Sequence, residues 1–195
     1  MRARTVALAR RLRRVRRCRW RGRAAVALWR VTHRLGHGPR VLVGRGLCLR
    51  GKLRIRGSGT VVLGNHIVVD RETVLYTASS EAVIEIGDNS YLNGPRISAA
   101  VRVAIGPHAL VGDARIMDTD FHHTTRRRRT GLGPAPARPV KIGSNVWVGG
   151  SAGVLKGTHI GDNAVVGFGA VVTKDVPADR MVAGNPAVDV GPVPE

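Results

Sequence analysis

Residues 142–177 read IGSNVW VGGSAG VLKGTH IGDNAV VGFGAV VTKDVP, six consecutive units of six residues. Every unit begins with a β-branched aliphatic residue, and its fifth residue is Ala, Thr or Val. An α-helix would rotate this apolar position by about 240° per unit, so it would be scattered over three faces. A single strand would instead need strict alternation. The period therefore predicts an all-β fold, a β-helix in which three short strands joined by tight turns form each coil of about 18 residues.

The repeat extends upstream with more irregularities. Ile86-Gly87 and Ile105-Gly106 both resemble the start of a unit, and their offset is one coil plus one inserted residue. Residues 41–74 contain short aliphatic runs separated by glycines, which supply the backbone freedom that tight turns need. We interpret these runs as earlier, less regular coils of the same β-helix.

The repeat is interrupted between Met117 and Ile142. The sequence there, DTDFHHTTRRRRTGLGPAPARP, contains two adjacent histidines, four consecutive arginines and three prolines, and it lacks the aliphatic period. A long excursion from a regular scaffold is typical of a functional loop. We therefore expect a loop at residues 118–140, and we expect it to carry chemistry.

The charge is concentrated at the start of the chain. Residues 1–40 contain 14 arginines and no acidic residue, whereas the rest of the chain carries a net charge of only +5. Leu12, Val15, Val26 and Trp29 fall near one side of a helix, so residues 1–38 are predicted to form a basic, helical N-terminal segment. Its longest apolar stretch, residues 24–29, is too short for a signal peptide or a membrane span. We therefore expect a cytoplasmic protein.

The cysteines support the same location. Cys18 and Cys48 lie 30 residues apart, with no CxxC spacing. This pattern indicates a reducing compartment, and it favours neither a disulfide framework nor a zinc site.

The sequence resembles the maltose/galactoside-type O-acetyltransferases of the hexapeptide-repeat acyltransferase superfamily. The resemblance is carried by the six units in register, the WVGG and VTKDVP runs, the histidine-bearing loop and AGNPA at residues 183–187. The resemblance covers residues 40–188. It implies a left-handed parallel β-helix at residues 39–179, followed by a C-terminal tail at 180–195. It further implies a homotrimer with active sites between subunits, and acetyl-CoA as co-substrate with no metal.

Acetyl transfer from a thioester needs a base, a donor for the tetrahedral oxyanion and groups that hold CoA. The resemblance assigns the base to His122, with the adjacent His123 as the alternative, and the oxyanion donor to the backbone N–H of Gly150. The expected acceptor-binding residues are Asn93, Asp120 and Trp147. The expected CoA-binding residues are Gly149, Gly150, Phe168, Thr173, Lys174 and Arg180.

Two positions depart from the family pattern. Phe168 stands where relatives usually have a small residue, which indicates a reshaped CoA groove. Val188 stands where a basic residue is common, so one phosphate contact is expected to be missing.

These observations predict O-acetylation of a sugar, a glycan precursor or a glycosylated small molecule. One alternative is N-acetylation of an amino sugar. Another is a non-catalytic β-helix whose basic arm binds an anionic membrane or nucleic acid. The arm lacks the interleaved aromatics typical of nucleic-acid binding, so residues 1–36 are predicted instead to contact the inner face of the membrane peripherally. A γ-type carbonic anhydrase is disfavoured, because Met117 and Arg127 occupy the positions five residues from His122.

Overall fold

A computed structural model describes residues 18, 20–29, 38–130 and 133–195. Within these ranges the chain forms short strands arranged as a triangular prism with about seven coils, and one helix covers residues 20–29. The strands of each coil belong in turn to three parallel sheets, named here A, B and C, and each strand pairs with its equivalents in the coils above and below. The predicted left-handed parallel β-helix is confirmed.

The three sheets hold the following strands. Sheet A consists of β1 (Arg40–Val43), β4 (Thr60–Leu63), β7 (Val83–Ile86), β10 (Arg102–Ile105), β13 (Val140–Ile142) and β16 (His159–Ile160). Sheet B consists of β2 (Cys48–Leu49), β5 (Val68–Val69), β8 (Tyr91–Leu92), β11 (Leu110–Val111), β14 (Trp147–Val148), β17 (Val165–Val166), β19 (Arg180–Ala183) and β20 (Val188–Pro192). Sheet C consists of β3 (Leu53–Gly57), β6 (Thr73–Thr77), β9 (Arg96–Ala99), β12 (Arg115–Met117), β15 (Gly153–Val154) and β18 (Val171–Val172).

The inward positions are those that the six-residue period selects. The first residues of all six units between 142 and 177 are buried, and so are the fifth residues. Register pairs residues one coil apart, as in Ile142 with Ile160 on sheet A. Ile86 pairs with Ile105, which confirms the coil with one inserted residue. The interior is therefore a column of aliphatic layers that excludes water.

Tight turns join sheet A to sheet B at what we call the A–B corner. Asn89, Asn145 and Asn163 adopt left-handed φ angles of 58°, 55° and 59° there, a conformation that Asn tolerates better than most residues. The Asn145 side-chain amide donates to Asn163, and that of Asn163 donates to Asp179, at 3.0 and 2.8 Å. Stacked side-chain hydrogen bonds thus hold successive coils in register.

The predicted tail at 180–195 begins inside the solenoid. β19 pairs in parallel with β17 and continues sheet B, and β20 then folds back antiparallel to β19. The sheet ladder therefore runs beyond the predicted boundary at residue 179. The hydrogen bonds of β19 satisfy backbone groups of the last full coil that would otherwise be unpaired.

The described part of the basic segment covers the N-terminal end of the β-helix. Residues 20–29 are helical as predicted, and Ala25, Val26 and Trp29 pack against the core. Arg21 donates from its guanidinium to the carbonyl oxygens of Arg50 and Gly51. The remaining predicted helix, residues 1–17, 19 and 30–37, lies outside the described residues.

The expectation that the cysteines are unpaired is wrong. Cys18 and Cys48 form a disulfide, with their Cα atoms 4.8 Å apart. The helix lies across the first coil and brings Cys18 beside the start of β2. This proximity is a tertiary contact that sequence spacing does not report. The disulfide also removes the support that the cysteines gave to a reducing compartment.

Within the described ranges, no helix is both long enough and apolar enough to cross a membrane.

Candidate functional site

The predicted site residues lie at two corners of the prism. We call the turns between sheets B and C the B–C corner, and those between sheets C and A the C–A corner. The excursion loop leaves the solenoid at the C–A corner, after β12, and rejoins it at β13. It spans residues 118–139, and Val140, which was predicted to end the loop, is the first residue of β13.

Asp118 anchors the start of this loop. Its carboxylate is fully buried and accepts three backbone hydrogen bonds of 2.7 Å, from the N–H groups of Ala100, Val101 and Arg102. Its carbonyl oxygen also accepts a hydrogen bond from the N–H of Arg138, at the far end of the loop. The Asp118 side chain therefore fixes the start of the loop to the coil beneath, and the Asp118 backbone joins the two ends of the loop to each other.

A second acidic residue fixes the next turn of the loop. Both carboxylate oxygens of Asp120 lie 2.6 Å from the ammonium of Lys156, and both side chains are largely buried. Phe121 follows with a left-handed φ of 60°, a sparsely populated conformation for an aromatic residue. Asp120 was predicted to bind the acceptor; in this structure it is engaged by Lys156.

The two candidate bases differ in their surroundings. His122 is exposed, and the described residues provide no hydrogen-bond partner for its ring. His123 is half-buried, and its Nε2 lies 3.2 Å from the carbonyl oxygen of Gly133, across the loop. His123 therefore contacts the opposite side of the same loop, whereas His122 faces solvent.

At the B–C corner, the N–H groups of Gly149 and Gly150 have different roles. The N–H of Gly149 donates to the carbonyl oxygen of Val166 at 2.8 Å, as part of the ladder between coils. The N–H of Gly150 has no acceptor among the described residues. Gly150 can therefore donate to a bound oxyanion, whereas Gly149 contributes backbone shape only.

Phe168 stands beside Gly150. A Cβ placed on Gly150 would lie 3.5 Å from the Phe168 ring, and the Phe168 side chain is 81% exposed. Phe168 thus places an exposed apolar surface directly beside the free N–H of Gly150. Asn93 occupies the same corner two coils below Gly150, half-buried after β8.

Trp147 projects outward from β14, with 54% of its surface exposed. Its register neighbours are Leu110 on β11, which is also exposed, and Val165 on β17. Together they form an apolar stripe on the outer face of sheet B.

The predicted phosphate-binding residues lie at the last coils, where Thr173 and Lys174 are exposed and Arg180 is half-buried. Thr173 and Lys174 lie at the C–A corner after β18, and the structure gives neither a side-chain partner among the described residues. Arg180 forms two hydrogen bonds of 2.7 Å with Asp189, and this contact raises the pKa of Arg180 and lowers the pKa of Asp189. Arg180 would have to leave Asp189 to reach a phosphate. Val188, which precedes Asp189 in the chain, is exposed.

One chain does not bring these groups together. His122 and Lys174 belong to the C–A corner, whereas Asn93, Gly150 and Phe168 belong to the B–C corner. Gly150 and Lys156 are six positions apart along sheet C, so at about 3.3 Å per strand residue the two corners lie roughly 15 Å or more apart. Each corner therefore holds only part of the predicted set of catalytic and CoA-binding residues.

Sequence reasoning missed Asp118 and Lys156. Asp118 carried a signal, since an acidic residue directly after the last aliphatic position of a coil is well placed to accept turn N–H groups. Lys156 carried none, because its pairing with Asp120 spans 36 residues. Among the described residues, no group of three or more His, Cys, Asp or Glu side chains could hold a metal ion.

Comparisons with known proteins agree with this geometry. The family model described as the hexapeptide repeat of succinyl-transferase matches residues 139–174. A putative acetyltransferase of Saccharomyces cerevisiae is 38% identical over 110 residues, which cover 53% of this chain and 53% of that protein. Galactoside O-acetyltransferase of Escherichia coli is 36% identical over 107 residues, which cover 53% of this chain and 51% of that enzyme. The chain thus spans about half the length of these curated relatives.

Among solved structures, a hexapeptide-repeat containing acetyltransferase from Vibrio cholerae superposes with a TM-score of 0.57 and 27% sequence identity. The match covers 68% of this chain and 74% of that one.

Proposed function

Because the chain belongs to the hexapeptide-repeat acetyltransferase superfamily, we propose that it transfers an acetyl group from acetyl-CoA to a sugar hydroxyl. The observation that carries this proposal is the free N–H of Gly150 beside the exposed ring of Phe168, a donor and an apolar surface suited to a thioester. The Vibrio cholerae relative has also been solved in complex with acetyl-CoA, and the Escherichia coli relative is a galactoside O-acetyltransferase.

In the proposed reaction, His122 accepts the proton of the acceptor hydroxyl while its oxygen attacks the thioester carbonyl carbon. A histidine imidazole can accept and release a proton near neutral pH, which suits this role. The tetrahedral oxyanion is stabilised by the N–H of Gly150. The C–S bond then breaks, the ester forms, and the proton on His122 passes to the departing CoA thiolate.

The surroundings of the two histidines favour His122 as the base. A base needs an unoccupied ring nitrogen that reaches the substrate. His123 already uses Nε2 within the loop, whereas His122 faces solvent. We assign His123 to holding the loop's shape, and we expect His123→Ala to weaken activity less than His122→Ala does.

We further propose that the enzyme is a homotrimer. The outer face of sheet A carries a groove of about 580 Å³ that extends to the A–B corner. The outer face of sheet B carries the protruding stripe that includes Leu110 and Trp147. If the A–B corner faces a threefold axis, sheet A of one subunit packs against sheet B of the next. The C–A corner of one subunit then meets the B–C corner of its neighbour, which would unite His122 with Gly150.

The trimer has a direct test. Leu110→Glu places a charge in the proposed interface, so we expect smaller particles in analytical ultracentrifugation and loss of activity. Leu28→Glu, on the exposed surface of the N-terminal helix, is the matched control and should change neither. A monomeric wild-type enzyme with full activity would contradict the proposal.

In this trimer, CoA would lie along the cleft between subunits, in contact with Gly149, Gly150 and Phe168. Thr173 and Lys174 would reach its pantetheine arm and phosphates, with Lys174 acting as a point charge. Asn93, Asp120 and Trp147 remain the proposed acceptor contacts. Asp120 would act there together with Lys156, its ion-pair partner.

The deciding experiment measures free thiol released from acetyl-CoA in the presence of a panel of sugars, amino sugars and nucleotide sugars. We expect release with hydroxyl acceptors and a fall of 10²-fold or more in His122→Ala. Release only with amino sugars would favour the N-acetyltransferase alternative. Equal release by wild type and His122→Ala with every acceptor would refute the mechanism.

The location of the protein stays a prediction. We propose the cytoplasm, where acetyl-CoA is available, with peripheral contact of residues 1–36 with the inner membrane face. Most of this segment lies outside the described residues, so cell fractionation with and without residues 1–17 is the test. Recovery of both forms in the soluble fraction alone would contradict the membrane contact.

A further inference from the structure

The outer face of sheet C, called face C below, carries an unusual density of arginines. Its side chains stand in two register rows that cross the strands. The first row contains Arg54, Arg96 and Arg115, and the second contains Arg56, Tyr76 and Ser98.

Arg96 and Arg115 are direct register partners on adjacent strands. Neighbouring strands lie about 4.8 Å apart, and like charges placed directly opposite each other are destabilising. Both side chains are exposed, and no carboxylate among the described residues lies within 4.0 Å of either guanidinium. Arg54, in the same row, differs from them because its guanidinium pairs with the carboxylate of Glu72.

The chain therefore supplies a counter-charge for Arg54 but none for Arg96 and Arg115 among the described residues. The adjacent positions Arg96 and Arg115 leave a concentrated positive charge that an external anion can neutralise. Arg56 is also exposed and has no carboxylate partner among the described residues, which extends the positive charge toward the N-terminal coils.

The second row leads to the proposed catalytic loop. Tyr76 pairs with Ser98, and Ser98 pairs with Met117, the last residue before the loop that carries His122. Tyr76 presents an exposed ring and hydroxyl, and Ser98 a half-buried hydroxyl. Such a surface offers an apolar plane and hydrogen-bonding groups, which suits a sugar ring. A ligand on face C would thus extend directly to the base.

We propose that face C binds an extended carboxylated polysaccharide, and that this chain is the acceptor for acetyl transfer. The inference rests on the proposed function and specifies its substrate class. Carboxylates repeated along the glycan would pair with Arg96, Arg115 and Arg56, and a ring near Tyr76 would place a hydroxyl at His122.

An anionic membrane fits face C less well. In the proposed trimer the three copies of face C point away from the threefold axis in different directions, so only one could meet a planar bilayer. A flexible polysaccharide can occupy all three. Face C also lacks protruding large apolar side chains other than Tyr76 among its described residues, and these are what anchor a protein in the interface.

Binding is measured by fluorescence anisotropy with labelled oligogalacturonate, without acetyl-CoA, and its fully methyl-esterified form is the uncharged control ligand. We expect Arg96→Gln/Arg115→Gln to weaken oligogalacturonate binding at least tenfold. Arg23→Gln/Arg40→Gln removes the same charge from exposed positions away from face C and should change affinity less than twofold. The methyl ester should bind weakly to all three proteins. Affinity for the acid should fall as salt rises.

Two outcomes would overturn the inference. One is equal loss of affinity in both double variants, which would show that only net charge matters. The other is binding to phosphatidylglycerol vesicles that depends on Arg96 and Arg115, without binding to oligogalacturonate.

Transfer is measured separately as KM for each acceptor. We expect Arg96→Gln/Arg115→Gln to raise KM for the acidic acceptor at least tenfold, while kcat/KM for a neutral acceptor is retained. If acetyl transfer to neutral sugars persists but oligogalacturonate neither binds nor reacts, the inference fails and the proposed function stands. If oligogalacturonate binds through face C but no acceptor releases thiol, the proposed function fails and the binding site stands as a lectin-like site.

Discussion

Replacing Asp118 with Ala tests whether one buried carboxylate holds the excursion loop in place. The substitution leaves the N–H groups of Ala100, Val101 and Arg102 without their acceptor. A buried N–H that loses its partner costs about 1–3 kcal/mol. Val101 and Arg102 are exposed enough for water to compensate in part, so we take about 1 kcal/mol for each group and expect a total near 3 kcal/mol.

For a chain of this size, about 3 kcal/mol corresponds to a fall in Tm of roughly 6–12 °C. Asp118→Asn should be intermediate, at about 1.5 kcal/mol, because one amide oxygen can still accept two of the three N–H groups. Urea unfolding and thermal melts measure both variants. Asp113→Ala is the matched control, since this carboxylate is exposed at the B–C corner and should change stability by less than about 0.5 kcal/mol.

The same variants report on the loop. If Asp118 positions His122, kcat should fall in Asp118→Ala even at temperatures where the protein is fully folded. A loss below about 1 kcal/mol with unchanged kcat would refute the anchoring role, because it would mean that water replaces the carboxylate at all three N–H groups.

Three further predictions concern other parts of the chain. Gly150→Pro removes the proposed oxyanion donor without breaking a ladder hydrogen bond, so kcat should fall about 10²–10³-fold. Gly150→Ala keeps the N–H, so its kcat should stay within tenfold of the wild-type value. Equal kcat in the two variants would contradict the assignment. The disulfide between Cys18 and Cys48 closes a loop of 30 residues, so its reduction should remove about 3.5 kcal/mol of stabilisation from the N-terminal helix. Hydrogen-exchange protection at residues 20–29 should then be lost. Protection that persists after reduction would refute the role of the disulfide in holding the helix. Arg180 holds the pKa of Asp189 below its ordinary value, so their contact stabilises the fold above about pH 4 and the stabilisation is lost as the carboxyl protonates at lower pH. The Tm of Asp189→Asn should therefore fall less steeply than that of wild type below pH 4, and parallel curves would contradict the coupling.

The regular coils were predictable because their physics is local and repeated. Each of Ile142, Val148 and Val154 occupies an inward position, and a register set by a single coil repeats in the next. The irregular early coils were also identified, because glycine turns and aliphatic runs remain recognisable in the sequence when the number of residues per coil changes. A coil can gain a residue at a corner without disturbing the inward layers, as the pairing of Ile86 with Ile105 shows.

The contacts that were not predictable join distant positions without a period. The Cys18–Cys48 disulfide depends on where the helix crosses the first coil, and the Lys156–Asp120 pair depends on how the loop returns to the solenoid. Residue spacing carries no information about either approach. The individual roles of Gly149 and Gly150 were equally hidden, because only the backbone hydrogen bonds tell which N–H is free.

The division of the site between two corners has a consequence for how the enzyme can be changed. In a solenoid, residues on one corner share a vertical column, whereas residues on different corners are held apart by the width of a sheet. A substitution at the C–A corner can therefore alter base or acceptor without disturbing the CoA-binding column that contains Gly150 and Phe168. In the proposed trimer, mixing His122→Ala subunits with Gly150→Pro subunits should restore part of the activity, because one cleft of every mixed trimer combines an intact base with an intact oxyanion donor, whereas the others lack at least one of the two. Absence of activity in mixed trimers would place both groups in the same subunit's site, which the separation of the two corners argues against.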